Sequence, residues 1–211
     1  VYDRLRNEGY RKVISIHLSS NLSGTVNLVR MIANEYDDME IKAIDSKNVG
    51  IGVGLLVYQA AKFIESGMNF NELVEQVETF RENVKVFFCI PVLDYLKKGG
   101  RIGLVSATIG TLLDLKPIIS CNSDGKYYTH TKARGRKSSL DKIVEVAMDL
   151  VGDKDSLVAV YHGAAEEEAK KIREMFAAIP NVKEILFGKI SPSMGVHTGP
   201  GLIGIGVMPA L

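Results

Sequence analysis

Four hydroxyl side chains fall within seven positions in Ser19-Ser20-Asn21-Leu22-Ser23-Gly24-Thr25. A small polar run that opens a helix offers hydroxyls and free backbone amides together. That combination suits an anion, either a carboxylate or a phosphate. The plainer reading is that Ser19, Ser20 and Ser23 cap the helix that follows, because serine is a common cap. A second run, Ser191-Pro192-Ser193-Met194-Gly195-Val196-His197-Thr198-Gly199-Pro200-Gly201, sets His197 between glycine-containing turns. A histidine there could donate to a carboxylate, act as acid or base, or only satisfy loop carbonyls. In Gly99-Gly100-Arg101 two glycines free the backbone, so the arginine could be aimed inward or at a partner. The basic run Lys132-Ala133-Arg134-Gly135-Arg136-Lys137 reads as a solvated face or as a docking site for an acidic or phosphorylated partner.

Other chemistries find little support. The chain has no Gly-rich phosphate loop, no GxGxxG and no GxSxG. His17, His130, His162 and His197 have no metal-ligand spacing, and no cysteine set joins them, so no metal is expected. No paired carboxylates stand out, and Asp45 at a strand end reads as a cap for the turn into Asn48. The basic run lacks interleaved aromatics, and the net charge of +1 gives no field towards nucleic acid. The longest apolar stretch, 49–61, is too short and too rich in glycine to span a bilayer, which leaves only transient contact with a membrane surface. Cys89 and Cys121 lie in apolar runs and read as buried, reduced thiols of a cytoplasmic protein.

The elements that would position these residues alternate. Residues 12–18 are β-branched and bounded by turns, which predicts a buried strand. The serine loop follows, then a helix over 26–36. A strand over 41–45, a helix over 55–66 and a helix over 71–83 repeat the pattern, and such alternation argues for a parallel sheet covered on both faces. Beyond residue 85 the texture changes. A strand over 86–90, a helical turn over 94–98 and an apolar helix over 105–115, ended by Pro117, precede a hairpin turned at Asp124-Gly125. Helices over 138–151 and 165–178 then alternate with strands over 157–162, 184–189 and 202–208. The expected class is α/β with two domains: residues 1–86 as a partial α/β/α domain bearing the serine loop, and 87–211 as an α+β domain with a mixed sheet. The chain opens on Val1 inside a helical pattern, so it reads as a fragment lacking its natural N-terminus.

Six motifs in order span most of the chain. They are Ser19-Ser20-x-Leu22-Ser23-Gly24-Thr25, Asp45-Ser46, Leu93-x-x-Leu96-x-x-Gly99-Gly100-Arg101-Ile102, Leu115-Lys116-Pro117-Ile118, Arg134-x-Arg136-Lys137 and His197-x-Gly199-Pro200-Gly201. Together they resemble the bacterial DegV family. The resemblance implies a long-chain fatty acid held between two α/β domains, with its carboxylate on hydroxyl groups and its tail in an apolar tunnel. It also implies a separate kinase subunit that makes acyl phosphate from ATP, so the chain would be a lipid-binding protein without catalytic residues or cofactor. Carried over by motif, the carboxylate site is Ser20, Ser23, Gly24, Thr25 and His197, and partner docking falls to Arg134 and Arg101. Family members begin with a further strand and a threonine that also contacts the carboxylate, and neither is found here. The competing expectation is an enzyme or sensor that binds a small phosphorylated metabolite at the loop 19–25.

Overall fold

The computed structural model describes residues 1–108 and 114–210. Two parallel strands, β1 (Lys12–His17) and β2 (Glu40–Asp45), form a small sheet. Helix α1 (Tyr2–Asn7) precedes it, and α2 (Thr25–Ala33) connects the two strands. The Tyr2 hydroxyl donates to Ser15 Oγ at 2.8 Å, and the Tyr2 and Tyr36 rings meet edge-on at 5.8 Å, which ties α1 to this sheet.

Helices α3 (Ile51–Glu65) and α4 (Phe70–Phe80) follow. Asn69 caps α4 by accepting the Glu72 amide, as its side-chain carbonyl allows. The remaining strands are β3 (Lys85–Cys89), β4 (Leu115–Cys121), β5 (Tyr127–Arg134), β6 (Ser156–Gly163), β7 (Val182–Lys189) and β8 (Leu202–Pro209). They build a six-stranded mixed sheet in the order β5-β4-β3-β8-β6-β7. Only β6 and β7 run parallel, joined by α7 (Glu166–Ala177). The last strand of the chain thus lies between β3 and β6. Seven of its eight residues are buried, as a central strand covered on both faces requires.

Helix α6 (Gly135–Val151) and α7 cover one face of this sheet, where Ile143, Phe176, Val160 and Ile205 pack together. Helices α3 and α4 cover the other face, with Leu55, Leu56 and Val77 against Leu157, Ala159 and Met208. Ile14, Ile16 and Ile44 of the small sheet join the same cluster, and α3 packs against strands of both sheets. The expected boundary at residue 86 falls inside β3.

Two local expectations are corrected. The helix expected over 105–115 is a 3-10 turn, Gly103–Thr108, and Leu115 opens β4. Residues 109–113 of that stretch, Gly110 among them, lie outside the described residues. Pro117 therefore stands within a strand. It pairs with Lys132 of β5 just beyond Ile118, the last β4 residue opposite β3, where a missing N–H spoils no second ladder. His197 was expected in a loop and instead sits in the short helix α8 (Pro192–Thr198), where Pro192 takes the first-turn position that tolerates proline. A five-residue helix, α5 (Asp94–Lys98), packs against α8.

Candidate functional site

The serine loop leaves the carboxyl end of β1 and is fastened from three sides. The Ser19 amide donates to Asn48 O at 2.9 Å. The Ser20 amide donates to both oxygens of Asp45 at 3.3 Å. Asn21 Nδ2 donates to Asp124 O at 2.8 Å, which ties the loop to the β4–β5 turn. That turn depends on Gly125, whose φ of +78° favours glycine, and a Cβ there would stand 2.1 Å from Ser19 Oγ.

Asp45 is the hub of this arrangement. Besides Ser20 it accepts the Lys47 amide at 3.0 Å and the Lys47 ammonium at 3.0 Å. Burial pulls its carboxyl upward, but the contacts from Ser20 and Lys47 outweigh it and hold the group below its ordinary value. The residue expected to cap a turn therefore also anchors the loop.

Ser19 and Ser20 do not cap α2, while Ser23 accepts its first amide, that of Thr25. Gly24 occupies the cap position, and no side chain bonds to the first helical amides from it. Instead the Ser23 and Thr25 hydroxyls meet at 2.8 Å, and Ser23 Oγ accepts the Thr25 amide at 3.3 Å. Both side chains line a cavity of about 280 Å³ shared with Arg101, Tyr127, Ser193 and His197. A neighbouring cavity of about 320 Å³ takes in Ser20, Ser23, Gly24, Arg101 and Tyr127.

His197 is set by close packing on α5. A Cβ on Gly99 would lie 2.3 Å from its Nδ1, so only glycine allows this approach. The Nδ1 is buried with no hydrogen-bond partner, which leaves Nε2 as the nitrogen free to serve the cavity. Arg101 donates from Nε to Leu22 O at 3.3 Å and from Nη1 to Gly99 O at 2.7 Å. It thereby clips the serine loop to the end of α5. Tyr127 is buried, packs edge-on against Phe88 at 5.2 Å, and burial raises its hydroxyl well above the ordinary tyrosine range, so it stays a neutral hydroxyl.

A third, much smaller cavity of about 30 Å³ adjoins this polar one. Val86, Phe88, Ile190 and Leu202 are among its walls, and it shares Val49 and Met194 with the polar cavity. The site therefore couples a cation, hydroxyls and an imidazole at one end to an apolar hollow at the other. Among the described residues no group of three or more His, Cys, Asp or Glu could hold a metal ion, and no helix is long and apolar enough to cross a membrane.

Comparison with known proteins bears on this geometry. The model of the DegV family, described as "Uncharacterised protein, DegV family", matches residues 1–210. The chain belongs to the DegV family. A DegV domain-containing protein of Clostridium acetobutylicum is 42% identical over 205 residues, 97% of this chain and 73% of that protein. The solved DegV-family protein of Thermus thermophilus, described as binding fatty acid, superposes with a TM-score of 0.90 at 28% identity, covering 98% of this chain and 74% of that one. DegV of Bacillus subtilis, described as a fatty-acid-binding protein, gives 0.87 at 30% identity, covering 99% of this chain and 74% of that one.

In this DegV-family chain Ser23, Thr25 and His197 come together on one cavity, with Ser20 and Gly24 on the adjoining one. Arg101, set aside for a partner on sequence grounds, lines both. Arg134 lies elsewhere, exposed at the end of β5. The basic run is split by structure. Arg136 grips Glu168 of α7 at 3.0 and 2.5 Å, while Lys132, Arg134 and Lys137 face solvent. Sequence reasoning missed Tyr127 and Met194. Tyr127 directly follows the Asp-Gly turn, but nothing in a hairpin pattern says which face of the strand meets a ligand.

Proposed function

We propose that this protein binds a long-chain fatty acid, with the carboxylate among Ser23, Thr25, Arg101, Tyr127 and His197 and the tail in the apolar cavity behind Val49 and Met194. The observation that supports this reading is that a polar cavity and an apolar one adjoin, with Val49 and Met194 lining both. A fatty acid needs both. Burial contributes about 0.8 kcal/mol per CH₂, on the order of 10 kcal/mol for a sixteen-carbon chain before ordering costs. A carboxylate taken from water must be hydrogen-bonded or paired, and hydroxyls with an imidazole and a guanidinium meet that need. The two solved relatives described as fatty-acid binders support the same ligand class. A phosphorylated metabolite would use the hydroxyls and leave the apolar cavity without a role.

The protein in this reading is a cytoplasmic carrier and not a free-standing enzyme. It presents the acid to a separate kinase, which transfers a phosphoryl group from ATP to the carboxylate oxygen to give acyl phosphate and ADP. In this reading Arg134, exposed at the end of β5, meets that partner, and Arg101 lines the cavities that take the carboxylate. Neither role depends on the other.

Mass spectrometry of the full-length protein, native and then denatured, tests the ligand. One fatty acid released per chain, lost in Ser23→Ala and His197→Ala, is the expected result. An empty extract with no thermal stabilisation by palmitate or oleate sinks the proposal, and protection by phosphate esters would favour the metabolite. A pull-down with the kinase, lost in Arg134→Glu while lipid content holds, tests the partner.

A further inference from the structure

A polar cavity of about 60 Å³ shares no residue with the two cavities of the serine loop. Three segments wall it: the turn 46–48 after β2, the stretch 81–86 that leads into β3, and residues 121–123 at the end of β4. Lys47, Arg81 and Lys85 bring three cations to it, against the single carboxylate of Glu82. Lys47 is matched, because its ammonium lies 3.0 Å from the Asp45 carboxylate. Arg81 is not. Among the described residues only its Nη1 is hydrogen-bonded, at 2.9 Å to the neutral carbonyl of Asp45. Its Nε is buried with no hydrogen-bond partner. The Glu82 carboxylate stands 4.0 Å from that nitrogen, beyond hydrogen-bond reach. A buried charged donor without an acceptor is costly, and an ion or water from outside the chain is the usual remedy.

The backbone at the cavity carries a second signal. Lys47 has a φ of +54°, a conformation that residues other than glycine take at a cost and that gathers at binding sites. Asp45 holds it there through the Lys47 amide and ammonium together. Asn48 ties the same turn to the second wall by donating from Nδ2 to Val84 O at 3.0 Å. The third wall abuts it too, since a Cβ on Gly125 would lie 3.0 Å from the Lys47 Cα.

We propose that this cavity is a second anion site, which takes a phosphate group on Arg81, Lys47 and Lys85. Size and charge set the class. The space admits a few waters or one compact oxyanion, and no acyl tail. The unused Nε and Nη2 edge of Arg81 is a fork suited to two phosphate oxygens, and lysine ammonium groups complete the charge. The same segments fasten the serine loop: Asn48 O holds the Ser19 amide, Asp45 the Ser20 amide, and Asp124 O the Asn21 side chain. Phosphate bound there braces the support of the ligand site without entering it. The inference stands apart from the fatty-acid reading.

The test melts the full-length protein in sodium phosphate and in sodium chloride of equal ionic strength, and titrates it with phosphate by calorimetry. Phosphate should raise the melting temperature saturably where chloride does not. Arg81→Gln should weaken phosphate about tenfold or more, and Lys85→Gln, at an exposed position, about two- to fivefold. Glu82→Gln should tighten it by up to about fivefold, because a like charge is removed. Ser23→Ala should leave the phosphate effect in place, which separates this cavity from the hydroxyl site. Glycerol 3-phosphate, titrated alongside, distinguishes the source: equal or weaker binding assigns the free anion, and tighter binding assigns a phosphate ester. No saturable phosphate effect in wild type overturns the proposal. So does an effect that Ser23→Ala abolishes, or one unchanged in Lys85→Gln and Glu82→Gln.

Discussion

The amide of Ser20 points at the carboxylate of Asp45, 3.3 Å from each oxygen, so the loop after β1 hangs from the end of β2. The hydroxyl-rich site is thereby coupled to a buried charge that is not among the residues lining its two cavities.

Removing that charge should loosen the loop. Asp45→Asn should cost about 2 kcal/mol, the typical worth of hydrogen bonds to a buried ionised group. The folded-state carboxyl lies below its ordinary value, so its contribution is complete above the ordinary carboxylate range and is lost as pH falls through the folded value. Urea unfolding of wild type and variant should therefore differ clearly at neutral pH and converge in acid. Equal midpoints at pH 7 would refute the anchor.

Gly99 and Gly54 should respond to alanine in opposite directions. At Gly99 a Cβ meets His197 Nδ1 at 2.3 Å, so Gly99→Ala should displace the imidazole and cost about 1–3 kcal/mol, with bound lipid reduced. At Gly54, inside α3, a Cβ meets nothing within 4 Å, so Gly54→Ala should stabilise by about 0.5–1 kcal/mol with lipid content unchanged. Thermal melts and lipid extraction of both variants decide the matter.

The basic run should divide on mutation. Arg136 pairs with Glu168 through two hydrogen bonds, and that pairing holds the Glu168 carboxyl below its ordinary value. Both groups are partly solvated, so Arg136→Ala should cost about 1 kcal/mol after screening. The loss should shrink in acid, because a depressed carboxyl contributes only above its folded value. Arg134→Ala should stay within about 0.5 kcal/mol of wild type. Denaturant titrations of the two variants test the contrast.

Neither thiol should react while the protein is folded. Burial pushes Cys89 up to about 11 and Cys121 up to about 12, so both are neutral at pH 8. Alkylation of the native protein should run on the order of a hundredfold slower than that of a free cysteine, with two equivalents appearing once denaturant is added. Rapid native labelling of Cys121 would show that its surroundings open in solution.

Much of this fold was legible in the residues. Apolar runs between turn residues located β1, β2, β6 and β8, and Asp124-Gly125 located the hairpin. The motif order pointed to the family and to Ser23, Thr25 and His197, which the structure brings to one cavity. These features are local, because propensity, capping and turn chemistry act over a few residues. The stretch around Pro117 failed for the same reason. Its apolar content suits a helix as well as a strand, and pairing with β3 and β5 makes the choice.

Other matters needed the whole chain. That β8 enters the sheet between β3 and β6, that Arg136 closes on Glu168 while Arg134 is exposed, and that Met194 and Val49 line the same two cavities are relationships between residues far apart in sequence. Residue types and spacing determined which groups could hold an anion, since that is a matter of side-chain chemistry. Tertiary structure decided which of them share a cavity and what lies behind it, because long-range packing sets the distances and no local pattern encodes them.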